Sequence, residues 1–161
     1  MHRDCRTAVV AAEPEELEFD PAEPAAVLAR MDEVAAAGKG WVNFQPAVDA
    51  DQEPPPRTKL FGLFSNAGPD VPLCTWVPGQ PTSSIGVQHA TGPKAADRLK
   101  IVERGIPDGW RVRQDHPKRG LVVEVPGGVA NSRVLDWLLD AGAALSTMRL
   151  TGRWRAIVYA R

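Results

Sequence analysis

The sequence predicts an α+β domain, an antiparallel sheet with helices packed on one face. Three observations lead there. Short runs alternate apolar and polar residues, other stretches place apolar residues at helical spacing, and Gly and Pro punctuate the joins. The chain has 161 residues, 43% hydrophobic and 24% charged, which is the length and make-up of one globular domain. That excludes a collagen, a wholly disordered chain and a disulfide-stapled miniprotein. The 15 Pro and 14 Gly residues assign a large share of the chain to turns.

Residues 1–19 read as a flexible acidic tail, because Glu13-Pro14-Glu15-Glu16 is too polar to nucleate a core, and residues 20–161 read as a single domain. Asp20-Pro21-Ala22-Glu23 resembles a capping box, although Pro24 pushes the helix start onward. Val27, Leu28, Met31, Val34 and Ala35 then recur at helical spacing up to Gly38. Trp41–Gln45 alternates as a strand that Pro46 should stop. An acidic loop follows, then Pro54-Pro55-Pro56, then Lys59–Phe64 with four large apolar side chains, Leu60, Phe61, Leu63 and Phe64. Strands at 71–77 and 84–89 flank a Pro-Gly-Gln-Pro turn as a hairpin. A helix runs from Gly92-Pro93 to Arg104, strands cover Trp110–Arg113 and Leu121–Val125, a helix follows Asn131 or Ser132, and Arg153–Tyr159 is the last strand.

Residues 84–160 thus read β-α-β-β-α-β, the order of a ferredoxin-like core, extended by the first helix and two strands. The two pairings conflict. A ferredoxin-like sheet seats strand 84–89 between 121–125 and 153–159, which leaves no edge for a hairpin with 71–77. If the hairpin forms, the order becomes α-β-β-β-α-β-β-α with the last strand displaced, an order similar to that of type III secretion chaperones. Either order is a likeness of fold and carries no function.

The net charge of −1 hides an asymmetry. Residues 1–90 hold 6 Lys/Arg against 13 Asp/Glu, a charge of −7, and residues 91–161 hold 13 against 7, a charge of +6. The two halves are expected to meet each other, within one chain or between copies, or the basic half to meet an anion. Two cysteines form no disulfide framework, and the apolar patch Ala8–Ala12 is too short for a signal core or a membrane span. A cytoplasmic protein with no membrane contact is expected. Abundant Ala, Gly, Pro and Arg fit a GC-rich bacterial genome.

Catalytic signatures do not assemble. The three histidines, His2, His89 and His116, show no metal-ligand spacing, so neither metal nor cofactor is expected. Cys74 has no activating neighbour, Ser83-Ser84 sits in no nucleophile elbow, and Gly127-Gly128 falls short of a phosphate loop. In Asp115-His116-Pro117-Lys118-Arg119-Gly120, Asp115 has the chemistry to orient His116 as a base, yet a hairpin tip bathes both in water. His89 precedes the turn into a helix start, where Thr91, together with Arg111 and Arg113 from the next strand, forms a candidate anion site. The plainer reading is a sheet-end histidine whose ring hydrogen-bonds the turn. Arg153 and Arg155 share one strand face, near Tyr159, and suggest phosphate contact by an open sheet.

Three functions follow as expectations. The first is a non-catalytic interaction domain with a protein partner or a second copy, using Leu60, Phe61, Leu63, Phe64, Arg153 and Arg155. The second is a small-molecule or anion-binding domain around His89, Thr91, Arg111 and Arg113. The third is a nucleic-acid binder with a basic sheet face.

Overall fold

The computed structural model describes residues 13–52 and 68–160. In chain order they form β1 (Glu15–Phe19), α1 (Ala25–Ala37), β2 (Trp41–Val48), β3 (Leu73–Val77), β4 (Thr82–Gln88), α2 (Ala95–Ile101), β5 (Arg111–His116), β6 (Gly120–Pro126), α3 (Asn131–Ala144) and β7 (Leu150–Tyr159). The seven strands make one antiparallel sheet in the order β1-β7-β2-β3-β4-β6-β5.

Alternation decides which face is covered. Val42 lies opposite Trp76 and Val158, Cys74 opposite Phe44 and Val87, and Val123 opposite Ile85. All of these are buried, and they join Val27, Met31, Leu99, Leu135 and Leu138 from the helices in one core. The register therefore turns every inward residue to the same side, where the three helices lie. The sheet's other face has no helix on it among the described residues.

The hairpin pairing prevails over the ferredoxin-like one. β4 sits between β3 and β6, and β7 pairs with β1 and β2 instead of with β4. A tight β3–β4 connection closes locally, whereas seating β7 beside β4 would leave β2 and β3 without neighbours on that side. The result is a larger sheet than the ferredoxin-like core, with the α-β-β-β-α-β-β-α order running from α1 to α3.

Boundaries also move, β5 running on to His116 where a turn is expected and β7 beginning at Leu150. Residues 15–19, read from sequence as tail, are strand β1, with Phe19 buried and Leu17 packed against the core while Glu16 and Glu18 face outward. Acidic residues are poor nucleators, but here they lie beside the arginines of β7. Asp20 does not cap α1; its Oδ1 accepts the Ala22 N–H at 2.9 Å in a preceding turn, and the helix begins at Ala25. β2 runs through Pro46 to Val48, because its pairing with β3 ends at Phe44 and Pro46 has only β7 beside it. α2 is shorter than expected, because Lys94 and Glu103 take positive φ at its two ends. The apolar segment Leu60, Phe61, Leu63 and Phe64 lies outside the described residues.

Candidate functional site

His89 follows β4 and is fully buried. Its Nδ1 accepts the Thr91 N–H at 3.3 Å and lies 2.8 Å from Thr91 Oγ1. An Nδ1 that accepts leaves the neutral ring's proton on Nε2, and Nε2 is buried without a partner. Burial holds this imidazole below its ordinary pKa, against the raising field of Asp115; Arg98 adds to the lowering. His89 and Thr91 thus come together as a turn-closing pair. Arg111 and Arg113 do not join them. Arg111 lies opposite Glu124, which lies opposite Ser84, five residues before His89 on β4. That places Arg111 on the uncovered face, roughly 16 Å along the strand from His89 at ~3.3 Å per residue, while Arg113, at the β-bulge of β5, is ion-paired with Glu124.

The polar cluster at 115–120 is structural. Asp115 Oδ1 and Oδ2 accept the N–H groups of Ala95 and Ala96, each at 3.0 Å, so a strand carboxylate caps α2. His116 Nδ1 accepts the Lys118 and Arg119 N–H groups at 3.1 and 3.2 Å and closes its own hairpin. Asp115 and His116 serve different partners and form no acid–base pair. Cys74 is buried against α3, with Sγ 3.8 Å from the Leu138 carbonyl oxygen, and burial pushes its thiol up to about 12. Such a thiol is a packing residue, not a nucleophile. No group of three or more His, Cys, Asp or Glu with metal-binding geometry occurs among the described residues.

The uncovered sheet face is the broadest candidate surface. Its outermost row runs from Tyr159 to Trp41, whose rings stack with centroids 4.7 Å apart, and the β2–β3 register continues it to Val77, then Ser84 and Glu124. The next row carries Glu16, Ile157, Asn43, Thr75, Gly86 and Val122. Thr75 Oγ1 donates to Asn43 Oδ1 at 2.9 Å. Charges mark the two ends. Arg155 meets Glu16 at 3.7 Å and donates to Gln45 Oε1 at 3.0 Å, and Arg113 is ion-paired with Glu124. Arg153 is exposed on the same strand face as Arg155. The acidic N-terminal half and basic C-terminal half therefore meet within one chain at the β1–β7 pair.

A second, smaller feature lies on the helix side at the β3–β4 turn. A cleft of about 260 Å³ opens between the end of α1, that turn and the start of α3, lined among others by Trp76, Ser83, Gly127, Gly128 and Asn131. Asn131 Nδ2 donates to Asp32 Oδ1 at 2.7 Å across its rim. Ser83, Gly127, Gly128 and Asn131 are each visible in the sequence as turn or helix-start residues, but nothing there brings them together. The signal present was Gly127-Gly128 immediately before a helix start, and the turn chemistry alone did not show what lay opposite it.

No family model, no curated protein and no solved structure matches this chain. No helix among the described residues is long and apolar enough to cross a membrane.

Proposed function

We propose that the chain is a non-catalytic binding module, cytosolic and bacterial, that holds a protein partner against the uncovered face of its sheet. The observation that carries this reading is that, among the described residues, helices cover only one face of the sheet. Antiparallel sheets tolerate a solvated face, but such a face is ordinarily polar throughout. Here Tyr159, Trp41, Val77, Ile157, Leu73 and Val122 lie on it, Val77 at 42% exposure, and charged pairs stand at both ends. Aromatic and aliphatic side chains set beside polar and charged ones are what a protein interface uses.

The other two readings have less support. His89 and Thr91 are engaged in a turn, and Arg111 and Arg113 do not join them, Arg113 being ion-paired with Glu124. A nucleic-acid surface is expected to be basic, but Arg155 and Arg113 each have a glutamate beside them, and Tyr159 stacks on Trp41.

The test is capture from native lysate by the wild-type chain and by a Val77→Glu/Ile157→Lys variant, at low and high salt. The expected result is a protein held by wild type in high salt and reduced at least tenfold on the variant. Equal capture by both baits, or retention only of nucleic acid that salt releases, contradicts the reading.

A further inference from the structure

We propose that the chain associates with copies of itself head to tail, the β5 edge of one copy taking the β1 edge of the next. This contact is separate from the uncovered sheet face and does not depend on it. β1 and β5 are the two ends of the sheet, and neither has a second strand beside it among the described residues. An edge strand leaves alternate N–H and C=O groups pointing away from its neighbour, open to another strand. Charge distinguishes the two edges. Residues 13–24, which hold β1, carry six Asp/Glu and no Lys or Arg. Residues 98–119, which hold β5 and the end of α2, carry seven Lys/Arg against three Asp/Glu. Charges on an edge ordinarily keep sheets from joining. Here the signs are opposite, so β1 repels β1, β5 repels β5, and each attracts the other.

Apolar exposure gathers at the β5 edge. Of the four large apolar side chains exposed among the described residues, three stand at the end of α2 and on β5: Ile101 (81%), Val102 (52%) and Val112 (40%). α2 starts where Asp115 caps it, packs on β5 and β6, and leads back to the start of β5. Its far end therefore lies level with Val112, after roughly 9 Å of helix rise against ~10 Å of strand. Val112 lies opposite the buried Val123, hence on the helix side, whereas Arg111 lies opposite Glu124 on the uncovered side. β1 carries the matching pattern, with Leu17 packed on the helix side and Glu16 and Glu18 turned the other way. Arg111-Val112-Arg113 thus has its counterpart in Glu16-Leu17-Glu18.

The topology sets the orientation. Six antiparallel pairings separate β1 from β5, so the two strands run in the same direction. A copy that continues the sheet with its helices on the same side therefore lays β1 parallel to β5. With Val112 beside Leu17, Arg111 comes beside Glu16 and diagonally to Glu18. An antiparallel arrangement of these two edges would turn Leu17 to the face opposite Val112. Arg111 and Glu18 are exposed and make no ion pair among the described residues, so both charges are available. A contact between two different edges leaves one of each free, and copies add beyond a dimer.

The test is sedimentation velocity of the full chain from roughly 10 μM to 1 mM, at about 20 mM and about 500 mM sodium chloride. The variants are Arg111→Glu and Glu18→Lys, both at exposed positions. For the wild type at low salt, the expected result is a sedimentation coefficient that keeps rising with concentration past that of a dimer. Association should be at least tenfold weaker at high salt, and at least tenfold weaker in each variant alone. An equimolar mixture of the two variants should recover association at least to the dimer. The unaltered β5 edge of Glu18→Lys then meets the unaltered β1 edge of Arg111→Glu, a rescue that misfolded variants would not give. Val77→Glu/Ile157→Lys should leave this association intact. Contact through the uncovered face has the reverse signature, loss in that variant and persistence in salt. A monomer throughout, growth that stops at a dimer, association that both charge reversals leave unchanged, or a mixture that recovers nothing would overturn the proposal.

Discussion

His89 is buried as a neutral imidazole, and its surroundings are arranged against protonation. Nδ1 faces the Thr91 N–H, so a proton there would set two donors against each other, and burial adds the desolvation of a charge. Because the folded-state pKa lies below the unfolded 6.5, the unfolded chain binds more protons. Stability is therefore unaffected by this group above about pH 6.5 and falls as pH drops below that toward the folded pKa. Urea unfolding from pH 7.5 to 5 should show this loss, and His89→Gln should flatten it. An equal slope in the variant would assign the loss to other groups. Cys74 offers a second check at this scale. In a Cys5→Ser background it is the sole thiol, and with its pKa near 12 it should resist a disulfide reagent in the native state and react fully in denaturant. Rapid native labelling would contradict its burial against Leu138.

At the scale of elements, much was legible. Apolar spacing located α1 and α3 and the β3–β4 hairpin, because these features are local. What was hidden depended on residues far away in sequence. β1 reads as tail until the arginines of β7 stand beside it. The cap of α2 arrives from Asp115, some twenty residues downstream, so no local motif marks it. Asp115→Ala should cost about 1–2 kcal/mol of stability by leaving two helix N–H groups without their acceptor, read as a lower denaturation midpoint at unchanged slope. The seat of α3 on the sheet is similarly unwritten. Gly142 is buried, and a Cβ there would come within 2.6 Å of Cys74 Sγ and 2.9 Å of Trp154 Cη2. Gly142→Ala improves helix propensity yet should destabilise by roughly 1–3 kcal/mol, since overpacking outweighs a propensity gain below ~1 kcal/mol. A stabilised variant would mean that α3 sits less closely than described.

For the whole molecule, the charge asymmetry that suggested an external partner is in part consumed inside the chain, where β7 lies between β1 and β2 and Arg155 meets Glu16. The candidate site was less legible than the fold for a related reason. Which side of a strand stays uncovered depends on where the helices land, and that is a property of the complete sheet. The sequence pointed to arginines and to the segment 60–64, whereas the described residues place an apolar row on β7, β2 and β3. A second copy of the chain is one partner this face suits. Sedimentation velocity over a range of concentrations should then show association that Val77→Glu/Ile157→Lys removes and salt does not. The most direct test of the uncovered face is hydrogen exchange on the complex that the wild-type chain forms. Slowed exchange is expected at β2, β3 and β7, with α1 and α3 unchanged; protection confined to the helices, with those strands unaffected, would contradict a partner on this face.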